Sequence, residues 1–343
     1  MMQTIKIGGK TIGDKIFIIA EMACAHGGKL NYAKKIIDAA ARSNADAIQF
    51  EIYEPDLTCI PGTGENKELR QVYFSKEQWL TLFAHARRKK LKVFSFCYDL
   101  DALNFSIMSK VDCIKVNSSD LLNIDFLDTL TKTKIPFTLG TGSSKLEEIK
   151  FSIDYLKKRK KHNFIVMHGV QNFPTKIENE RVNKVSILKK NFNCIVGYAN
   201  HTSGDLEEAQ FIDLLAIGAG AKVLEKHIII NRKDKHFDYF SSLEPQEFKK
   251  YVQIIKKGQS AFDTYKGFEI TNSDIKYRIF QKKSIALSRN VKKGEKLSRN
   301  NICFIRNMVE EGIPPNRYVE LKGKIFKKSF KKFKVLNTKM LKK

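Results

Sequence analysis

In the segment IFIIAEMACAHGG, Ile16–Gly28, apolar residues lead directly into a carboxylate, Glu21. Small residues, a histidine and two glycines follow. In α/β proteins, binding and catalytic groups lie where the chain leaves the core at the carboxyl end of such a strand. Taken alone, Glu21 could equally cap the helix that follows. A functional role for Glu21 is favoured over a helix cap if the same pattern recurs at the ends of other strands.

Short apolar runs alternate with amphipathic helical stretches through most of the chain. The predicted strands are IFIIA (16–20), DAIQF (46–50), KVFSF (92–96), DCIKV (112–116), IPFTL (135–139), NFIVM (163–167), CIVGY (194–198) and AKVLE (221–225). Predicted helices begin near 31, 75 and 100 and then cover about 123–131, 144–159, 179–190, 205–217 and 245–257. Eight strand–helix units over about 250 residues indicate a (β/α)8 TIM barrel. A doubly wound sheet is the less favoured α/β alternative, because no G-x-G-x-x-G follows the first strand.

The pattern changes beyond residue 270, where short alternating segments with turns at Gly294 and Gly323 indicate a small β-rich domain. We therefore expect a barrel domain over 1–270, a linker over 271–282 and the small domain over 283–343.

Composition restricts the class of protein. With 42% hydrophobic and 29% charged residues the chain should be globular. No apolar run approaches the roughly 20 residues of a membrane helix, and the N-terminus lacks a signal-peptide layout, so we expect a cytoplasmic protein with no membrane partner. The six cysteines are scattered without a C-x-x-C pair, which indicates reduced core residues rather than disulfides or zinc ligands.

The chain is strongly basic, with 62 Lys and Arg against 37 Asp and Glu and a net charge of +25. This excess is diffuse and accompanies no nucleic-acid-binding motif, so we expect no nucleic-acid partner, and a basic surface suits an anionic substrate. The steepest block is Lys322–Lys343, with ten lysines and no acid. It contains either the last strands of the small domain or a patch for an anionic surface.

Polar side chains recur at the carboxyl ends of all eight predicted strands, which is where a barrel builds its site. In chain order they are Glu21, Gln49, Glu51, Ser95, Asp99, Lys115, Asn117, Ser118, Asp120, Thr141, His168, Gln171, Asn200, His201, Lys226 and His227. His201 and His227 end successive strands and could meet Glu21 at one centre. Two imidazoles and a carboxylate suit a divalent ion such as Mn²⁺ or Fe²⁺. A substrate-facing or supporting role for Glu21 is the alternative.

The same residues carry a family resemblance. The stretches IAEMACAHGGKLNYAKKIIDAAARSNADAIQFEIY, KVNSSDL, TLGTGSS, HGVQNFPT, VGYANHTSG and VLEKHI resemble the sialic acid synthase family in the right order. The tail ALSRNVKKGEKLSRNNICFIRNMVEEGIPP resembles that family's antifreeze-like (SAF) cap domain. The resemblance implies a metal-dependent condensation, with Mn²⁺ or Mg²⁺, of phosphoenolpyruvate with an N-acetylated amino sugar to give a nonulosonic acid and phosphate.

The resemblance also implies roles for individual residues. His201, His227 and Glu21 match the family's metal-site positions, and Arg306 would reach the sugar of the other subunit in a homodimer with swapped caps. The other substrate positions that the resemblance and the strand ends imply are Lys115, Ser118 and Asp120 of the fourth-strand motif, the sugar-contacting Asp238, and Gln49, Glu51, Ser95, Thr141 and Gln171. Glu21, Lys115, Asp120 and Arg306 are the expected catalytic groups.

This sequence departs from the family where phosphoenolpyruvate is held. Gln49 replaces a lysine and Glu51 a glutamine, so a cation is lost and an acid is gained near a trianionic ligand. Further departures are Phe96 and Cys97 in a Ser-Thr-Pro motif, Gly140 for a serine, Gln171 and Phe173 for Asn and Tyr, and Ala199 and Asn200 for Ser and Asp. Phosphate normally needs charge-assisted donors. Three readings follow: a synthase with a rewired donor pocket, a metal-dependent aldolase or lyase that does not use phosphoenolpyruvate, or a catalytically silent sugar-binding paralogue.

Overall fold

The structure is a computed structural model that describes residues 4–13, 15–262, 267–308 and 312–342. The chain forms two compact units, Met1–Thr264 and Tyr265–Lys343. Within the described ranges, none of the helices combines the length and the hydrophobicity of a transmembrane span.

The first unit is a closed barrel of eight parallel strands, which confirms the predicted (β/α)8 fold. A short antiparallel hairpin precedes the barrel, formed by β1 (Ile5–Ile7) and β2 (Lys10–Ile12). The barrel strands follow as β3 (Phe17–Glu21), β4 (Ala47–Ile52), β5 (Lys92–Cys97), β6 (Cys113–Val116), β7 (Phe137–Gly140), β8 (Phe164–Gly169), β9 (Val196–Asn200) and β10 (Val223–His227). Pairing of β10 with β3 closes the ring, with His227 opposite Glu21.

The helices of the first unit surround the barrel, and all of them except α2 and α3 correspond to helices that the apolar periodicity predicts. They are α1 (Leu30–Arg42), α2 (Pro55–Thr58), α3 (Gly64–Val72), α4 (Lys76–Arg88), α5 (Leu100–Met108), α6 (Ile124–Lys132), α7 (Leu146–Lys158), α8 (Lys184–Phe192), α9 (Asp213–Ala219) and α10 (Pro245–Phe262). The start of α4 follows from sequence, because Ser75 and Gln78 form a reciprocal capping box. Two predicted helices begin later than expected, since 3-10 turns at Ile177–Asn179 and Glu207–Gln210 occupy the regions before α8 and α9.

The amino-terminal hairpin places the site at one end of the barrel. Ile5, Ile7 and Ile12 are buried in one apolar cluster with Phe17 and Phe94 from the barrel interior. Such a cluster takes apolar surface out of water and closes the amino-terminal end of the barrel. The cavity that could receive a ligand therefore opens at the other end, where the strands have their carboxyl ends.

The second unit has a small antiparallel core. It contains α11 (Asn272–Gln281), β11 (Lys283–Leu287), β12 (Ile302–Arg306) and α12 (Tyr318–Leu321). The segment predicted as a linker is mostly the helix α11, which begins at a capping box between Thr271 and Asp274. Gly294 and Gly323 adopt φ of +87° and +85°, as the predicted turns require.

The lysine-rich tail contributes to the core of this unit. Phe326, Leu336 and Leu341 are buried together with Ile285, and Phe326 and Leu341 form an antiparallel bridge. The apolar residues that alternate with lysines thus face inward, which is the first of the two alternatives above. That this unit is an antifreeze-like cap stays a prediction.

Candidate active site

A cavity of about 410 Å³ opens at the carboxyl ends of the barrel strands. Ten of the residues predicted from sequence line it: Glu21, Glu51, Lys115, Asn117, Ser118, Thr141, Gln171, His201, His227 and Asp238. The ends of β3, β4, β6, β7, β8, β9 and β10 therefore converge as the barrel geometry requires.

The two histidines form a candidate metal centre with a carboxylate that differs from the predicted one. One ligand atom each of His201, Glu225 and His227 lies within 4.8 Å of the others. Glu225 and His227 are two residues apart on β10, so both side chains point into the barrel. The structure thus brings Glu225 into this group and not Glu21, whose carboxylate is held by other partners.

Burial favours the neutral form of both histidines, which is the form in which an imidazole binds a metal. Burial lowers the pKa of His201 to about 3 and that of His227 well below its usual value. Nδ1 of His201 lies 2.7 Å from the carbonyl oxygen of Val170 and donates to it, which leaves Nε2 free to bind a metal. Nδ1 of the buried His227 has no hydrogen-bond partner among the described residues. An imidazole and carboxylate set of this kind fits a divalent cation.

Glu21 contacts several other groups of the cavity wall through its carboxylate. Its carboxylate accepts hydrogen bonds from the Ala23 backbone nitrogen at 2.7 Å and from the Gln49 side-chain amide. The Lys115 ammonium is 3.8 Å away. Burial is the main reason why the pKa of Glu21 is raised well above its usual value. The structure therefore supports the alternative role, in which Glu21 positions its neighbours.

Gln49 lies behind this wall and does not line the cavity. Its Nε2 donates to Glu21 and, at 3.1 Å, to Glu225. Its Oε1 is buried and has no donor among the described residues. A side chain that bridges two carboxylates is not directed at a substrate phosphate. Its predicted role in substrate binding is thus not what this geometry favours.

Lys115 is the one lysine or arginine among the described residues that line the cavity. Its ammonium is 2.6 Å from Glu225 and 4.1 Å from the centre of the Phe96 ring. Burial opposes its charge, but Glu225 and Glu21 outweigh burial and raise the pKa of Lys115. The cation is therefore retained, and its charge is already shared by two carboxylates.

Glu51 and Asp238 form a second acidic group at the cavity wall. Glu51 accepts from the Tyr98 hydroxyl at 2.9 Å and from the Cys24 thiol at 3.5 Å. Burial, reinforced by the Asp238 carboxylate, raises the pKa of Glu51 to about 7. Burial also raises the pKa of Asp238 to about 6, although Lys115 lowers it. Cys24 and Tyr98 line the cavity but were missed from sequence, because nothing in their spacing distinguishes them from core residues.

Ser95 and Asp120, two further residues predicted for the site, do not line the cavity. Ser95 is buried against the Ser106 hydroxyl of α5, on the helix side of β5. Asp120 accepts from the Asn123 amide in the turn after β6 and does not line the cavity. Arg306 is an exposed residue at the end of β12 in the second unit. Strand alternation explains Ser95, since its neighbour Phe96 takes the inward position.

Lys226 was grouped with the site from sequence, but its side chain points away from the cavity. Its Nζ donates to Oδ1 of Asn200 at 2.9 Å, and that oxygen also accepts from the Thr202 backbone nitrogen. The Asn200 amide donates in turn to Asp213. This buried network joins the end of β10 to the loop that carries His201.

The protein is thus an α/β-barrel protein with a candidate metal centre, formed by a His–Glu–His group at the strand ends. Comparison with known proteins gives the family. The NeuB family model matches residues 36–266, and the chain belongs to this family.

Curated relatives and solved structures agree with this assignment. An N,N'-diacetyllegionaminic acid synthase from Campylobacter jejuni is 30% identical, over 92% of this chain and 97% of its own. A pseudaminic acid synthase from the same species is 28% identical, over 95% of this chain and 97% of its own. The N-acetylneuraminic acid synthetase of Leptospira borgpetersenii, solved with citrate, is 29% identical with a TM-score of 0.75, over 81% of this chain and 97% of its own. The resemblance to the sialic acid synthases is thereby confirmed.

Proposed function

We propose that this protein is a nonulosonic acid synthase, which condenses phosphoenolpyruvate with an N-acetylated amino sugar in the synthesis of surface carbohydrate. The observation that carries the proposal is the His201, Glu225 and His227 group at a cavity large enough for small-molecule substrates. Each Glu225 oxygen already accepts one hydrogen bond, from Lys115 or Gln49, and keeps a second lone pair for a cation. A bound Mn²⁺ or Mg²⁺ would polarise the aldehyde oxygen of the sugar.

The reaction makes one carbon–carbon bond. The methylene carbon of phosphoenolpyruvate attacks the aldehyde carbon of the sugar, water adds its oxygen to the enol carbon, and phosphate leaves. In this scheme Lys115 faces the carboxylate of the donor, while Ser118, Thr141 and Asp238 bind the sugar. The Phe96 ring beside the Lys115 ammonium keeps water from that side of the cation.

The donor pocket is the unusual part of this scheme. Lys115 is the one cationic side chain among the described residues at the cavity, and Gln49 stands where the family resemblance implies a lysine. We therefore expect phosphoenolpyruvate to bind weakly, with a high KM. An aldolase or lyase with an unphosphorylated donor remains the second candidate, because the metal group does not depend on the phosphate site.

Phosphate release tests the reaction. The full-length protein with Mn²⁺ is incubated with phosphoenolpyruvate and a panel of amino sugars, and the His227→Ala variant serves as the control. Sugar-dependent phosphate release that the variant lacks supports the proposal. Metal-dependent consumption of sugar and pyruvate without phosphate release would support the second candidate, and binding without any turnover would indicate the silent paralogue.

Metal analysis tests the centre separately. His201→Ala, His227→Ala and Glu225→Gln should each lose most of the bound metal, since each removes a ligand. Glu21→Gln should retain the metal stoichiometry, with affinity lower by about 10- to 100-fold at most, as for a residue that supports a ligand. Unchanged stoichiometric metal in both histidine variants would contradict the site.

We further propose that the protein acts as a homodimer in which the second unit of one subunit covers the barrel of the other. The proposal rests on the family resemblance and on the exposed position of Arg306. An Arg306→Ala chain mixed with a His227→Ala chain should then regain activity in hybrid dimers. Hybrids that form but stay inactive would indicate that the cap acts on its own subunit.

A further inference from the structure

We propose that Lys226 and Asn200 are positioning residues, whose buried hydrogen bond fixes the separation of His201 and His227 and so raises the affinity of the metal centre for its ion. The inference rests on the proposed function, because it assumes that these two histidines hold the ion. It concerns two side chains that touch neither the ion nor a substrate.

The two residues lie next to the candidate ligands in the chain. Asn200 directly precedes His201, and Lys226 lies between Glu225 and His227. Lys226 and Asn200 are also opposite each other in the ladder between β9 and β10, which ends at this pair. Side chains alternate along a strand, so the candidate ligands point into the cavity, while Lys226 and Asn200 point to the helix side. A bond between the two outward side chains therefore holds the strand ends that carry the inward ones.

This bond continues the connection between the strands beyond the backbone ladder. Nζ of Lys226 donates to Oδ1 of Asn200 at 2.9 Å, and both residues are fully buried. Water cannot compete for a bond in such a place, so it is stronger than the same bond would be at the surface. The distance between the ends of β9 and β10 is thus fixed immediately before the two histidines.

The Asn200 side chain is held in one orientation by the groups around it. Its Oδ1 also accepts from the Thr202 nitrogen at 2.7 Å, and its Nδ2 donates to Asp213 at 2.6 Å. Asp213 is the first residue of α9, and it also accepts from the Tyr251 hydroxyl of α10 at 2.6 Å. An ionised Asp213 can only accept, so Asn200 presents its amide to Asp213 and its oxygen to Lys226. Two helices thereby fix the acceptor that Lys226 uses.

The two histidines differ in how much other support they have. His201 is enclosed by the turn in which Thr202 donates to Asn200, and the Thr202 hydroxyl donates in turn to the buried Glu180 at 2.7 Å. The His201 ring has its own hydrogen bond through Nδ1. Nδ1 of His227, in contrast, has no partner among the described residues. The place of His227 relative to His201 therefore depends on the position of β10 against β9.

A purely structural role explains a lysine at this position less well. A fully buried ammonium with one hydrogen-bond acceptor among the described residues is costly, and an apolar side chain of similar length would fill the same space without that cost. Removing Lys226 alone would, however, leave the buried Asp213 carboxylate without a positive charge nearby. A test must therefore change both charges together.

Two double variants that share Asp213→Asn separate the bond from the fold. Lys226→Met with Asp213→Asn, the bond-free variant, removes one buried charge of each sign together with the bond between the strands. Asn200→Asp with Asp213→Asn, the swap variant, moves the carboxylate from position 213 to position 200, where it can accept from Lys226 and from the new amide. In both variants the remaining polar groups of the network keep partners, so we expect both to fold.

Metal binding to the full-length proteins after chelation measures the effect. Calorimetric titration of Mn²⁺ gives the affinity, and the visible absorption of bound Co²⁺ reports the geometry of its ligands. The bond-free variant should bind Mn²⁺ about 10- to 100-fold more weakly and change the Co²⁺ spectrum, as for residues that orient metal ligands. The swap variant should stay within about threefold of wild type and keep the spectrum, because it retains the bond.

Lys161→Met is the matched control, because Lys161 is another buried lysine, which donates to the carbonyl oxygen of Thr133 before β8. It should leave the Mn²⁺ affinity within about twofold of wild type, since distant sites without shared partners act independently. Urea unfolding of the chelated proteins measures the stability of each variant separately from its metal site.

The inference and the proposed reaction fail in different ways. Weaker metal binding by the bond-free variant, with wild-type behaviour of the swap variant, supports the inference, and it stands even if no sugar releases phosphate. Unchanged affinity and spectrum in the bond-free variant, or an equal loss in the swap variant, would overturn the inference and leave the reaction in place. A bond-free variant that does not fold would show that the bond serves the fold, which also overturns the inference. Wild-type protein that binds neither Mn²⁺ nor Co²⁺ would contradict both.

Discussion

Replacing Gln49 by lysine should tighten phosphoenolpyruvate binding by roughly 10- to 150-fold. The Gln49 amide donates to Glu21 and, at 3.1 Å, to Glu225, so a lysine ammonium here would have two counter-ions within reach. It would also compete with Lys115 for Glu225 and so leave more of the Lys115 charge for the ligand. A hydrogen bond to a charged group is worth about 1.5–3 kcal/mol, which corresponds to this range of affinity. Adding Glu51→Gln removes a negative charge from the cavity and should increase the gain.

Calorimetric titration of phosphoenolpyruvate into the Mn²⁺-loaded proteins measures the effect. The Gln49→Met variant is the control, because it has a similar length without charge or hydrogen-bonding groups, and it should bind no better than wild type. Wild-type binding that is already at low micromolar concentration, with no improvement in Gln49→Lys or in the double variant, would refute the reasoning. The donor would then be held by groups other than those of β4.

Three further perturbations test other parts of the structure. Acid should destabilise the protein through His26, because burial lowers its pKa to about 3. Below pH 6.5 the unfolded chain therefore takes up a proton that the folded one does not, at a cost of about 2 kcal/mol by pH 5. His26→Gln should flatten the dependence of the unfolding free energy on pH over this range, and an unchanged slope would contradict the assignment. Asp99→Ala should lower the unfolding free energy by about 1–3 kcal/mol in urea titrations, since Asp99 accepts from the backbone nitrogens of Ala102 and Glu54, both at 2.7 Å. Chelation should abolish phosphate release and Mn²⁺ should restore it, whereas activity that persists after the metal content has fallen to zero would argue against a metal-dependent reaction.

The positions of the barrel strands could be predicted from sequence because each is a short apolar run with polar residues close to its carboxyl end. The eight predicted runs each overlap an observed barrel strand, and His201 and His227 meet as expected. Helices α2 and α3 were not predicted, because the stretch after β4 lacks a clear apolar period.

The direction in which each side chain points was harder to predict than the strand that carries it. Glu225 was overlooked although it lies two residues before His227, where alternation along a strand puts both on one face. Ser95 follows the opposite alternation and faces Ser106 of α5. Gln49 points inward as expected, but its partners, Glu21 and Glu225, come from neighbouring and distant parts of the sequence. Such partners depend on how the ring of strands closes, which a linear pattern does not specify.

The amino-terminal hairpin has a consequence for the order of events in catalysis. Ile5, Ile7 and Ile12 fill the amino-terminal end of the barrel with apolar side chains, so molecules enter and leave through the carboxyl-terminal end. A substrate that sits deepest must therefore arrive first, and its product must leave last. Two-substrate kinetics with a compulsory order would then reflect the shape of a passage with one entrance, whatever the relative affinities of the two substrates.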